Sequence, residues 1–132
     1  MLEHTNAIAT IAVKDMEVSR KFYEEKLGFT PLEVKSKDVV KYTSGDTFFY
    51  VYKSEHAGKH EATAAAWYVE ADLETIVAEL KSRGVEFQVY DGLEGIKPQK
   101  GLVHIYEDVK VAWVKDPDGN ILALVCEGEV AE

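Results

Sequence analysis

The chain has 132 residues, 46% of them hydrophobic and 30% charged, with 24 acidic against 15 basic residues and a formal charge of −9. That composition excludes disorder and collagen-like repeats, and such a length buries roughly two thirds of the unfolded surface, as one domain or as two small halves sharing one fold. The acidic balance repels phosphate backbones, which argues against nucleic acid as a partner, and it biases the surface toward a cationic ligand.

No apolar run approaches the roughly 20 residues that cross a bilayer. Met1-Leu2-Glu3-His4 offers no basic start leading into an apolar signal core, so a cytoplasmic protein without membrane contact is expected. The single cysteine, Cys126, lies in an apolar run and reads as a small core residue.

Thr5 to Val13 has little polar content and is predicted as a strand buried on both faces. Asp15 then caps a helix on which Val18, Phe22, Tyr23 and Leu27 recur at spacings of three to five, and Gly28 is the expected stop. Three strands follow, about Thr30 to Lys35, Val39 to Thr43 and Thr47 to Lys53, parted by the turns Ser36-Lys37-Asp38 and Ser44-Gly45-Asp46. Residues 55–61 form a polar linker.

The pattern then restarts. Ala62 to Val69 is a strand, Asp72 begins a helix with Leu73, Ile76, Val77 and Leu80 on one stripe, and Gly84 ends it, so strand, helix and stop glycine recur at an offset of 56 positions. Val85 to Tyr90 is the next strand. The loop Asp91 to Gly101, with Gly92, Gly95 and Gly101, is either a lid or an ordinary connection. Val103 to Val114 and Ile121 to Cys126 are the last two strands. Between them, Asp116-Pro117-Asp118-Gly119-Asn120 combines a fixed dihedral, a positive-φ glycine and self-bonding side chains, which is a hairpin turn. Its arms, rich in valine and leucine, belong to a sheet interior. The order is βαβββ twice, with modules 5–54 and 62–127 in a single α+β domain spanning 1–132 and helices on the outer face.

Three pieces resemble a known superfamily. They are Ile11-Ala12-Val13-Lys14-Asp15 leading into Phe22-Tyr23 and Leu27-Gly28-Phe29; Trp67-Tyr68-Val69 leading into Leu80 and Gly84-Val85-Glu86-Phe87; and Ala112 to Asn120. In this order they resemble the vicinal oxygen chelate fold of glyoxalases, extradiol dioxygenases, fosfomycin-resistance enzymes and bleomycin-resistance proteins. The resemblance implies an eight-stranded mixed sheet curved into a cup, and a homodimer. It does not fix function, because the superfamily hosts many chemistries.

By the same resemblance, metal-dependent members hold one divalent cation with side chains from four strands pointing into the cup. Imidazole and carboxylate suit such an ion, and its open positions take a substrate's vicinal oxygens. Counting back five residues from the valine that ends the first strand gives Ile8, and the repeat offset gives Ala64. Counting four past the turn glycines gives Phe49 and Ala123. All four are apolar, so no metal and no cofactor is expected, and the chain resembles the members that bind without metal.

Strand alternation around those positions puts Thr10 and Ala12, Thr47 and Val51, Ala66 and Tyr68, and Ile121 and Val125 on the cup lining. Such a cup is dry, with Trp113 and Tyr106 available to stack on a planar ligand. His104 enters the strand pair near Trp113 and is the one histidine with a candidate ligand contact; His4, His56 and His60 read as solvated. Trp67 shares a face with Val69 and reads as core against a helix. Tyr50 and Tyr52, opposite Phe49, are either core or interface.

Two functions follow. The first is a metal-independent small-molecule binding protein of the bleomycin-resistance type, sequestering a cationic or aromatic compound on Thr10, Phe49, Val51, Ala66, Tyr68, His104, Tyr106, Trp113 and Ala123. The alternative is a glyoxalase-like lyase, isomerase or dioxygenase-related enzyme with an altered site, and a filled, structural cup is the blander third reading.

Overall fold

The structure is a computed structural model that describes residues 1–70, 72–90, 97–99, 101–106 and 108–127. The chain forms two compact units, Met1–His60 and Glu61–Glu132.

The first unit holds β1 (Thr10–Val13), α1 (Met16–Arg20), a π-helical continuation (Lys21–Lys26), β2 (Pro31–Ser36), β3 (Val39–Ser44) and β4 (Thr47–Lys53). Its sheet runs β1-β4-β3-β2, with β1 parallel to β4 and the remaining pairs antiparallel. Asp15 caps α1 by accepting from the Glu17 and Val18 amides at 2.9 and 3.2 Å. The wide turn that follows bonds Leu27 N to Phe22 O at 3.0 Å, and Gly28 ends it at φ 83°. Ser19, Phe22 and Tyr23 are the buried helical residues, while Val18 is exposed. The expected stripe therefore keeps Phe22 and Tyr23 and loses Val18, because the π turn adds a residue to the helical repeat.

β1 is shorter than predicted and is not buried on both faces. Ile11 and Val13 are buried, Ala12 is half-buried and Thr10 is exposed. The parallel ladder starts at Thr10, Tyr50 N reaches back only to Ala9 O, and Thr5 closes a turn onto Leu2 O instead. Under the helix lies an aromatic core. Tyr23 stacks on Tyr42 at 6.1 Å, and Phe49 meets Tyr42 at 5.4 Å and Phe29 edge-on at 4.8 Å.

The second unit holds β5 (Thr63–Tyr68), α2 (Leu73–Ser82), β6 (Glu86–Gln88), β7 (Lys97–Gln99), β8 (Val103–Tyr106), β9 (Val109–Lys115) and β10 (Ile121–Glu127). The order is β5-β10-β9-β8-β7, with β6 on the same edge of β9 as β8. Ten strands are thus present among the described residues, in two hydrogen-bonded sheets. The predicted strand Val103 to Val114 breaks into β8 and β9, and β7 adds a strand within the predicted loop. The α+β class and the twice-used strand–helix–strands order are as expected, with the β7–β8 ribbon inserted in the second module. Residues 91–96 and 100, and with them the lid reading of that loop, lie outside the described residues.

β10 is paired on both sides, and Ile121, Leu122, Ala123 and Leu124 are all buried. α2 is capped by Asp72 through the Glu74 amide at 3.0 Å, and it buries Leu73, Val77 and Leu80. Lys110 Nζ reaches Glu74 Oε2 at 3.0 Å, which marks the helix side of the sheet. Trp67 pairs with Leu124 on that side, the face expected of it, and is half-buried rather than part of the core.

One buried group gives the first unit a pH dependence. The Tyr42 hydroxyl donates to Glu24 Oε2 at 2.9 Å, and Arg20 Nε donates to the same oxygen at 2.6 Å. Burial, then the Glu24 carboxylate, pushes the phenol well above its ordinary value near 10. Below pH 10 it is protonated in both states; above it the unfolded phenol ionises while the folded one keeps its proton, so stability falls as pH rises. Urea unfolding between pH 9 and 11 is expected to show a decline steeper than in Tyr42→Phe by up to about 1 kcal/mol per pH unit. At pH 7 the variant loses about 1 kcal/mol for the missing hydrogen bond. Equal slopes would show that Tyr42 ionises alike in both states.

Candidate functional site

In the second unit, register settles which residues share a face, because laterally paired residues point the same way. Ala66, Ala123, Trp113 and Gln88 form one row across four strands, and Tyr68, Val125, Val111 and His104 form the next. Both rows lie opposite the Lys110 side, away from α2. The predicted Ala66, Tyr68, His104, Trp113 and Ala123 therefore come to one face. Tyr68 and Ala66 are exposed, Trp113 is half-buried, and Ala123 and His104 are buried. Tyr106 pairs with Val109 in the following row, but its side chain lies outside the described residues.

His104 sits where β6 ends and β8 begins along the β9 edge. Its Nε2 accepts the Tyr90 backbone N–H at 3.0 Å, and its ring meets Trp113 edge-on at 4.9 Å, as does Tyr90 at 4.8 Å. A nitrogen that accepts an amide proton carries none, so the neutral imidazole holds its hydrogen on Nδ1. That Nδ1 is buried and has no hydrogen-bond partner among the described residues. His56 and His60 are exposed, as expected of a polar linker.

The first unit corrects the predicted lining. Phe49 and Val51 are not on the open face with Thr10: they are buried on the helix side, Phe49 among Tyr23, Tyr42 and Phe29, and Val51 paired with Ile11 and Val40. The partner of Thr10 is Tyr50, and that of Ala12 is Tyr52. The glycine-anchored count fails here because the hairpins differ. Two residues link Ser44 to Thr47, whereas five link Lys115 to Ile121, so the same count reaches opposite faces.

The open face of the first unit is a concave aromatic surface that sequence reasoning missed. Thr10, Lys35, Val39, Tyr50 and Tyr52 line a hollow of about 440 Å³. Beside it Phe48 meets Tyr50 edge-on at 5.6 Å, and Lys41 Nζ sits 4.1 Å above the Phe48 ring. The signal was the alternation Phe48-Tyr50-Tyr52, three aromatic residues at strand spacing.

These positions do not fit the metal that the fold resemblance implies. Ile8, Ala64 and Ala123 carry no donor atom, Phe49 points to the helix side, and its open-face neighbour Tyr50 offers one phenol. Among the described residues, no three His, Cys, Asp or Glu side chains are grouped to hold a metal ion.

The sequence profile of the Glyoxalase/Bleomycin resistance protein/Dioxygenase superfamily matches residues 2–124. The chain belongs to this superfamily. Solved structures with the same fold include a glyoxalase family protein from Enterococcus faecalis, 20% identical, covering 95% of this chain and 99% of that one at a TM-score of 0.70. A glyoxalase/bleomycin resistance protein from Catenulispora acidiphila is 23% identical over 93% of this chain and 98% of its own, at 0.68. The fosfomycin resistance protein FosX from Listeria monocytogenes is 13% identical over 95% and 93%, at 0.67. No curated protein matches the chain. Membership of the superfamily fixes the fold and does not fix the chemistry. Among the described residues no helix is long and apolar enough to cross a membrane.

The role of His104 in this superfamily member has a direct test. His104→Phe keeps the ring against Trp113, removes the acceptor for the Tyr90 amide, and also removes the desolvated Nδ1. The two effects oppose each other at about 1–2 kcal/mol each, so urea unfolding is expected to change by less than about 1 kcal/mol. A loss above about 3 kcal/mol would show that Nδ1 has a partner in the folded protein.

Proposed function

We propose that this superfamily member binds a small, flat organic molecule with its own side chains and without a metal, sequestering it. The observation that carries the reading is the hollow of about 440 Å³ over Thr10, Val39, Tyr50 and Tyr52. Its volume falls within the range of small-molecule sites, and its walls are apolar with a few polar groups at the edge. A ring laid on Tyr50 and Tyr52 leaves water for an aromatic surface, and the Thr10 hydroxyl and the phenols orient it. Sequestration needs no more than that. FosX, a structural relative, is a fosfomycin resistance protein, which accords with small-molecule handling on this fold.

A second reading, a glyoxalase-like enzyme with an altered site, is favoured by one observation, the buried and unpartnered Nδ1 of His104. It is the weaker reading, because that atom is closed off from solvent and no described carboxylate bonds to the ring.

Two titrations test the proposal. Chelated protein unfolded thermally with added Zn, Ni, Mn, Fe(II) or Mg is expected to keep its midpoint, whereas a native-state ligand at 100 times its dissociation constant adds about 2.7 kcal/mol. 2-Naphthol, a neutral flat probe, is expected to bind, and about tenfold more weakly to Tyr50→Ala, as follows from losing one stacked ring. A saturable rise with one metal, or binding indifferent to Tyr50, would overturn it.

A homodimer belongs to the same proposal. The edge strand β2 leaves Leu32 and Val34 at least half exposed, which suits cover by a second copy. Sedimentation velocity is expected to give twice the 14.8 kDa chain mass, and a monomer at micromolar concentration would remove the dimer.

A further inference from the structure

Resting on the reading of the hollow as the binding site, we infer that its ligand carries an anionic group, a carboxylate, sulfonate or phosphate on a flat ring system, and that Lys35 is its charge partner. The sign is opposite to that suggested by the net charge of −9.

Among the described residues Lys35 is the one ionised residue that lines the hollow; the others are Thr10, Val39, Tyr50 and Tyr52. Lys41 stands directly across from Tyr50 in the β3–β4 register. Its ammonium already occupies the face of Phe48 at 4.1 Å, so the cation–π seat next to the hollow is filled by the protein itself. One carboxylate, Glu33, lies beside them, paired with Lys41 across β2 and β3 and 3.5 Å from Lys35 Nζ. That contact is long and both partners are about half exposed, so it holds Lys35 weakly and leaves the ammonium able to turn to a ligand.

Among the described residues an incoming cation therefore meets two ammonium groups against one carboxylate, at ring faces one of which is already taken. An incoming anion meets Lys35, and the Thr10 hydroxyl and the tyrosine phenols supply neutral donors. The acidic remainder of the surface weighs less than these neighbours, since at physiological salt charges beyond about 8 Å are screened.

The test uses the full chain and two charged fluorescent probes of similar size, anionic 1-anilinonaphthalene-8-sulfonate and cationic thioflavin T. It compares the wild type with Lys35→Ala, Lys35→Glu and Tyr50→Leu, each checked for a native circular dichroism spectrum. The sulfonate is expected to bind more tightly than the cation, and to weaken about threefold in Lys35→Ala and about tenfold in Lys35→Glu at low salt, with the differences shrinking in 0.5 M NaCl. Thioflavin T is expected to gain in Lys35→Glu. Sulfonate binding that responds to Tyr50→Leu and ignores both Lys35 variants would overturn the anionic ligand while leaving the hollow as the site. Binding of both probes that ignores Tyr50→Leu would overturn the site and this inference with it.

Discussion

The second unit depends on the carboxylate of Asp116. Its Oδ1 accepts from the Asp118 and Asn120 amides at 2.9 and 2.8 Å, and its Oδ2 accepts from Asn120 Nδ2 at 2.8 Å. The backbone closes the same loop, with Asp116 N bonded to Asn120 O and Gly119 N to Asp116 O. Gly119 passes through φ 87°, a conformation that side chains with a Cβ rarely adopt. Asp116 and Asn120 are both buried, so each of these groups needs its partner inside the turn. The turn therefore sets one β9–β10 register among the possible ones. A slip of one residue would carry Ala123 and Val125 to the helix side and bring Leu122 and Leu124 to the open face.

That register organises everything built on it. β10 accepts β5 on one side and β9 on the other, and the β9 edge takes β6 and β8 end to end. The join leaves an amide of Tyr90 beyond the β6 ladder, and the His104 ring supplies its acceptor. His104 thus does a ladder's work with a side chain, which accounts for its complete burial among Tyr90 and Trp113. In the first unit the corresponding device is the Arg20–Glu24–Tyr42 cluster. There a π-helical turn presents a carboxylate to a buried phenol, and an arginine keeps that carboxylate paired.

The legibility of the fold followed from local chemistry. Asp15 and Asp72 at helix starts, Gly28 and Gly84 at helix ends and the Asp116–Asn120 turn all act through their own neighbours, and each stands where its chemistry placed it. The faces on which the predicted lining residues lie were half legible. In the second unit the count from Gly119 and the alternation along β5 and β9 brought Ala66, Tyr68, Trp113 and Ala123 to one face. In the first unit the same count placed Phe49 and Val51 on the wrong face, because face depends on how many residues close the hairpin, a property of pairing that no single strand displays. The break between β8 and β9 did leave a signal, since the two strands part between Tyr106 and Val109, where the sequence places the charged pair Glu107-Asp108 that the single-strand reading ran through.

Within β4 the two faces do separate work, and this is how a member of the superfamily can lose the metal donors and keep the fold. Phe49 and Val51 are buried against the helix side and contribute stability through ring packing and apolar burial. Phe48, Tyr50 and Tyr52 alternate with them on the open side, where no helix constrains their size or polarity. Ala123, one of the positions where the resemblance expects a ligating side chain, lies opposite the helix side, so an apolar residue there disturbs no helix packing. What remains able to select a ligand is the shape and charge of the residues still facing outward. Around the first-unit hollow those include two tyrosine rings, a threonine hydroxyl and Lys35, with Lys41 and Glu33 beside them, the set on which the proposed recognition by stacking and charge rests.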